Sequence, residues 1–248
     1  TSKELVYLNF DGGTSTAYDG NTTIEAFDAS VLDSRLDGLT SQLINGGGGV
    51  TGIVDNSQTI LTNYPAAIGS VTIDVLGGDL TDFNTASTGV FLTTVDPSLS
   101  GLDPDTDFTT IYIGETDEVG AGLLGIAGSI DVAGQDISDE AIVFIENFAG
   151  ASSAMTTTTL MNEYARYIAN TAVHELLHTL GMNHQPTDFV NYQLLADDPN
   201  NDGDASDSNE GAYGIMGYPP LAVDLTELGE LGTNILTPNE FPIGHIDT

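Results

Sequence analysis

The chain contains no cysteine, and only three of its 248 residues, Lys3, Arg35 and Arg166, carry a fixed positive charge. The first absence excludes disulfides, thiolate nucleophiles and every cysteine-ligated metal site. The second excludes nucleic-acid binding, because 37 Asp and Glu leave a formal charge of −34 and almost nothing to pair with phosphates. Three scattered cations cannot build a polybasic membrane patch, and no apolar run has the length that a bilayer crossing needs, so no membrane insertion is expected. No charged-then-apolar leader precedes Thr1, so a processed mature chain or an excised domain is expected. Repeats and linker-like segments are lacking, the 29 Gly and 9 Pro being spread through the chain.

What is present suffices for a core: 40% of the residues are hydrophobic, enough for one large domain or two lobes. Asp outnumbers Glu about two to one, and self-repulsion at this charge predicts salt adaptation or dependence on bound cations. Residues 4–10 (ELVYLNF) read as a buried strand that ends in a turn at Asp11-Gly12-Gly13. Residues 89–95, 108–113 and 141–145 are β-branched and aromatic runs bounded by Asp, Pro and Gly, which predicts three more strands. Val31, Leu32, Leu36, Leu39 and Leu43 have helical spacing, so a helix is expected over 28–44, capped by Asp28 or Ser30 and stopped by the glycines at 46–49. Residues 51–54 and 71–76 read as short strands in a turn-rich insertion. The segment 123–132 (LLGIAGSIDV) has too many glycines for a central strand and suits an irregular edge strand, open to pairing with an extended peptide. Residues 157–180 lack Gly and Pro and are apolar nearly all round, which predicts a long buried helix ended by Gly181. The order predicts an α+β protein, a mixed sheet with helices packed on it, followed by an irregular tail from Asn183.

Within that helix lies His174-Glu175-Leu176-Leu177-His178, and Gly181 and His184 follow. Two histidines four apart stand on one helical face, so both imidazoles can reach one ion. Gly181 can adopt a positive φ that turns the chain and brings His184 back as a third ligand. Three imidazoles with no thiolate suit a single Zn²⁺ and leave a fourth place for water, the catalytic pattern. Glu175 is not needed as a ligand; its carboxylate can hold that water, take its proton and pass it to a leaving amine. Three of the chain's four histidines sit in this pattern, whereas three converging imidazoles in an apolar helix would otherwise each need a partner of their own. The fourth, His245, reads as a surface residue.

These residues resemble the metzincin metalloproteases, whose HExxHxxGxxH helix is followed by a turn containing methionine. The match runs from the first strand to Tyr213-Gly214-Ile215-Met216-Gly217-Tyr218, the segment that resembles that turn. The resemblance implies a single catalytic domain over 1–248. Its upper subdomain, 1–184, would hold a twisted five-stranded sheet, two main helices and the zinc helix at about 157–180. A small irregular lower subdomain, 185–248, would carry the Met-turn at 213–218. Met216 is implied as the floor under the metal, and Tyr218 as a fifth zinc ligand that swings away to steady the transition state. Met-x-Tyr is similar to the serralysin and astacin branches, whereas Gln185-Pro186 after His184 departs from astacins, matrixins and adamalysins. A separate bacterial-type member fits equally.

Asp198, Asn200, Asp202 and Asp204, with Gly203 between the last two, reproduce the first half of an EF-type calcium loop, but the second half departs from it. The segment reads either as a Ca²⁺ site or as a solvated acidic loop. The acidic clusters at 103–107 and 136–140 read as solvated turns. The expected function is that of a secreted or cell-surface zinc endopeptidase, a monomer, which hydrolyses protein substrates by a zinc-bound water activated by Glu175. Its substrate would lie extended along the 123–132 edge. The rival is a non-catalytic, calcium-loaded surface or adhesion module with a relic zinc site.

Overall fold

The computed structural model describes residues 3–37, 49–63, 72–77, 79–99, 108–116, 123–129, 139–148 and 156–181. They form a mixed α/β structure around a six-stranded, mostly parallel sheet. The strands are β1 (Lys3–Asn9), β4 (Ile73–Leu76), β5 (Gly89–Thr93), β6 (Thr109–Gly114), β7 (Gly125–Ala127) and β8 (Glu140–Phe144), in the order β4-β5-β1-β6-β8-β7. A hairpin of β2 (Gly13–Ser15) and β3 (Thr22–Ile24) stands apart from the sheet ladder. The helices are α1 (Gly49–Asn63), the short α2 (Thr81–Thr85) and α3 (Thr157–Thr179). The sheet thus has six strands among the described residues, not five, the sixth being β4, which falls within the 71–76 segment read as a short strand and lies on the edge opposite β7.

Alternation along the strands explains why the sheet is covered on both faces, as parallel sheets require. Val6, Leu8, Val90, Leu92, Ile111, Ile113, Ala141 and Val143 join the core formed with α1 and α3. Leu5 and Phe91 face the other way, onto Leu76, Leu80 and the Phe83 of α2, while Ile142 and Phe144 pack on Ile24 of the hairpin. Only β7 runs antiparallel, pairing Gly125 with Val143 and Ala127 with Ala141. It is the edge strand expected near 123–132, three residues long, and its ladder is extended by the bonds from Phe144 N–H to Leu124 O and from Gly128 N–H to Glu140 O, both 2.9 Å.

The helix expected over 28–44 does not form within its described part. Residues 29–31 and 34–36 are two 3₁₀ turns, because Asp28 and Asp33 each accept the N–H two residues on, from Ser30 and Arg35, both at 2.8 Å. Such local side-chain bonds offer the backbone an alternative to the helix. Leu32 and Leu36 are nonetheless buried, and the Tyr164 hydroxyl of α3 donates to Leu32 O at 3.1 Å. Residues 51–54, read as a strand, lie instead in α1. Its glycines and threonines argue against a helix, but Ile53, Val54, Ser57, Ile60 and Leu61 are buried at helical spacing. The hydroxyls of Ser57, Thr59 and Thr62 donate to the carbonyls four residues back at 2.7–2.8 Å, so none competes with the helix ladder.

The acidic stretch at 136–140, read as a solvated turn, is partly structural: Asp139 is buried and accepts from the Ser129 hydroxyl at 2.9 Å. Glu140 Oε2 accepts from the Ser15 hydroxyl, the Thr16 N–H and the Thr16 hydroxyl at 3.0, 2.6 and 2.9 Å, tying the hairpin to β8.

Candidate metal centre

The chemistry sits on the last two turns of α3. Thr156 caps the helix start by accepting from Thr159 N–H at 3.2 Å. At the other end Gly181, at φ 89°, donates its N–H to His178 O at 2.8 Å. This is the turn that the sequence requires of Gly181, in a region of backbone space that a residue with a Cβ rarely enters. Apolar residues nearly all round bury the helix, and with it three groups that normally avoid burial: His174 and Glu175 at 0% exposure and His178 at 3%.

The two imidazoles converge. Nε2 of His174 and Nε2 of His178 are 3.1 Å apart, with the rings edge-to-face at 86°. One ligand atom from each of His174, Glu175 and His178 lies within 4.8 Å of the others, so the buried group could hold a metal ion. Two nitrogens bound to one tetrahedral ion at about 2.0–2.1 Å stand roughly 3.3 Å apart, a few tenths of an ångström from the spacing found here. The same spacing suits a hydrogen bond between one protonated and one bare Nε2. Two imidazole nitrogens without sulfur fit a borderline ion such as Zn²⁺.

All three Lys and Arg side chains lie among the described residues and have partners there. Lys3 Nζ donates to Phe83 O and lies 4.3 Å from its ring centroid; Arg35 pairs with Asp33 at 2.7 Å; Arg166 lies 3.6 Å from Glu163.

The turns before the histidines carry polar groups too. Asn170, one turn before His174, is 2% exposed, and its Nδ2 meets no acceptor among the described residues. Burial and the nearby Glu163 push the Tyr167 phenol well above its ordinary pKa, so it stays a neutral hydroxyl. Neither residue was singled out in the sequence, where both read as helix filler.

No protein-family model, curated protein or solved structure matches the chain. The structure brings together His174, Glu175 and His178 of the predicted site. His184, Met216, Tyr218 and the loop with Asp198, Asn200, Asp202 and Asp204 lie outside the described residues, as do His245, the 103–107 cluster and the whole of 185–248. Among the described residues no helix is long and apolar enough to cross a membrane.

Proposed function

We propose that the chain is a zinc-dependent endopeptidase of the metzincin type, with His174, His178 and His184 as the zinc ligands and Glu175 as the proton carrier. The observation that carries this reading is the convergence of two buried imidazole nitrogens beside a buried carboxylate on one helix, with the glycine turn that leads toward His184 already in place. The mostly parallel sheet with one antiparallel edge strand beside that helix supports it as well.

A zinc ion held by His174, His178 and His184 would supply Lewis acidity toward the attacking water and the scissile carbonyl. Glu175 accepts the proton of the attacking water and delivers it to the leaving amine, so one water is consumed and an acid and an amine are released. Burial of Glu175 in an apolar helix strengthens its interactions with charge that develops nearby. An extended substrate pairs its backbone with the open side of β7, and Met216 and Tyr218 serve as the floor of the site and as a donor to the developing oxyanion. The enzyme works as a secreted or cell-surface monomer, and the 198–204 loop binds calcium.

Digestion of casein by the purified chain tests the reading. Hydrolysis should stop with a zinc chelator and return when zinc is restored. A chain that carries zinc but cleaves neither casein nor gelatin is instead the non-catalytic module.

A further inference from the structure

The edge strand and the proton carrier touch. A Cβ placed on Gly125 of β7 would lie 2.6 Å from Glu175 Oε1, 2.9 Å from Glu175 Cγ and 2.7 Å from Thr171 Cγ2. Gly125 is buried, and it is not one of the glycines at positive φ. The backbone conformation at 125 would thus admit any residue, and glycine in a strand interior weakens the strand. What demands glycine here is the space taken by the Glu175 side chain and the Thr171 methyl.

We infer that Gly125 is a positioning residue for Glu175: the strand offered to the substrate also forms one wall of the carboxylate's seat, and only a residue with no side chain leaves that seat open. The inference rests on the reading of Glu175 as the proton carrier. The first atom an added methyl meets is the end of a flexible side chain, so the chain yields by moving the carboxylate rather than by unfolding. Thr171 is stiffer, being β-branched within a helix, and contributes the packing share of the cost. Because β7 is held to β8 through Gly125–Val143 and Ala127–Ala141, the wall is fixed in register with the sheet. A base displaced by about 1 Å loses much of its effect, on the order of a hundredfold.

The test compares the full-length chain with Gly125→Ala, Glu175→Ala and the double variant, first as metal-free protein by thermal melting. Gly125→Ala should lower Tm by several degrees. In the Glu175→Ala background, where the seat is vacated, the same change should cost distinctly less. Equal losses in the two backgrounds overturn the inference. In the zinc-loaded chain, Gly125→Ala should keep wild-type zinc affinity by chelator competition and lower kcat for a fluorogenic peptide ten- to a hundredfold, with KM within about threefold. Unchanged kcat, or a rise in KM alone, also overturns it, since the strand would then be only a substrate wall. Gly125→Ala with Thr171→Ser separates the two contacts, and should recover part of Tm while kcat stays low. If Gly125→Ala alone does not fold, recovery of folding by Glu175→Ala but not by Thr171→Ser supports the inference, and the reverse overturns it. A wild-type chain with no chelator-sensitive hydrolysis removes the endopeptidase reading, while the melting comparison still decides whether Gly125 seats Glu175.

Discussion

Glu140 and Glu175 both lie next to β7, one on β8 and one on α3, in different surroundings. Glu140 opens β8, is half-buried, and is fixed by donors: two hydroxyls and one backbone N–H of the β2–β3 hairpin share its Oε2. Glu175 is buried on α3, where its Oε1 and Cγ would lie 2.6 and 2.9 Å from a Cβ placed on Gly125. Glu140 ties the hairpin to the sheet, whereas Glu175 lies beside the two imidazoles of the candidate metal centre.

Substitutions at the two acids should therefore diverge. If Glu175 is the proton carrier proposed above, Glu175→Gln should lower peptide hydrolysis by about 10²-fold to 10⁴-fold or more while zinc content and Tm hold. Near-normal turnover in that variant would place the base elsewhere. Glu140→Ala should do the converse: a loss of about 1–3 kcal/mol in unfolding free energy by urea titration, from three acceptor contacts to the hairpin, with zinc content and kcat at the wild-type level. A stability unchanged by Glu140→Ala would mean that water replaces the clasp without cost. The smallest effect belongs to a third acid. The Arg35 guanidinium and N–H hold the Asp33 carboxyl below its ordinary pKa. A depressed folded-state pKa gives stability that is present above the unfolded value near 4 and lost as pH falls through the folded one. Asp33→Asn should thus cost a few tenths to about 1 kcal/mol at neutral pH, as partly exposed pairs do, and nothing once the pH is well below 4. A cost that persists at low pH would assign the effect to the 3₁₀ turn and not to the ion pair.

The four strands read from β-branched and aromatic runs and the long helix were legible because each carries its own boundary chemistry. Residues 4–10, 89–95, 108–113 and 141–145 fall on β1, β5, β6 and β8 to within a few residues, and Gly181 ends α3 one turn after His178. The His174-Glu175-His178 cluster was legible because His is so scarce that its spacing on one helix cannot be missed. The segment 28–63 was not. Leu32, Leu36, Leu39 and Leu43 have the spacing of a helix, but Asp28 and Asp33 close turns of their own, and the tertiary surface of α3 supplies the burial that the spacing announced. In α1 the apolar stripe at 53, 54, 60 and 61 was present, but masked by Gly52, Thr51, Thr59 and Thr62, whose poor propensity is overridden by packing. The hairpin β2–β3 rests on bonds from Ser15 and Thr16 to Glu140, more than a hundred residues away, which no local pattern announces. Gly125 belongs to the same class: its glycine count argued for an edge, yet the reason for glycine at that position lies on a helix fifty residues further on.

The central claim is that the buried imidazole pair is a metal centre and not a hydrogen-bonded pair of neutral rings. Elemental analysis of the purified chain, wild type beside His178→Ala at equal concentration after gel filtration in trace zinc, separates the two directly. The account predicts about one zinc per wild-type chain and almost none in His178→Ala, since removing one of three nitrogen ligands opens the site to water. Zinc absent from the wild-type chain, or retained in equal amount without His178, would contradict it.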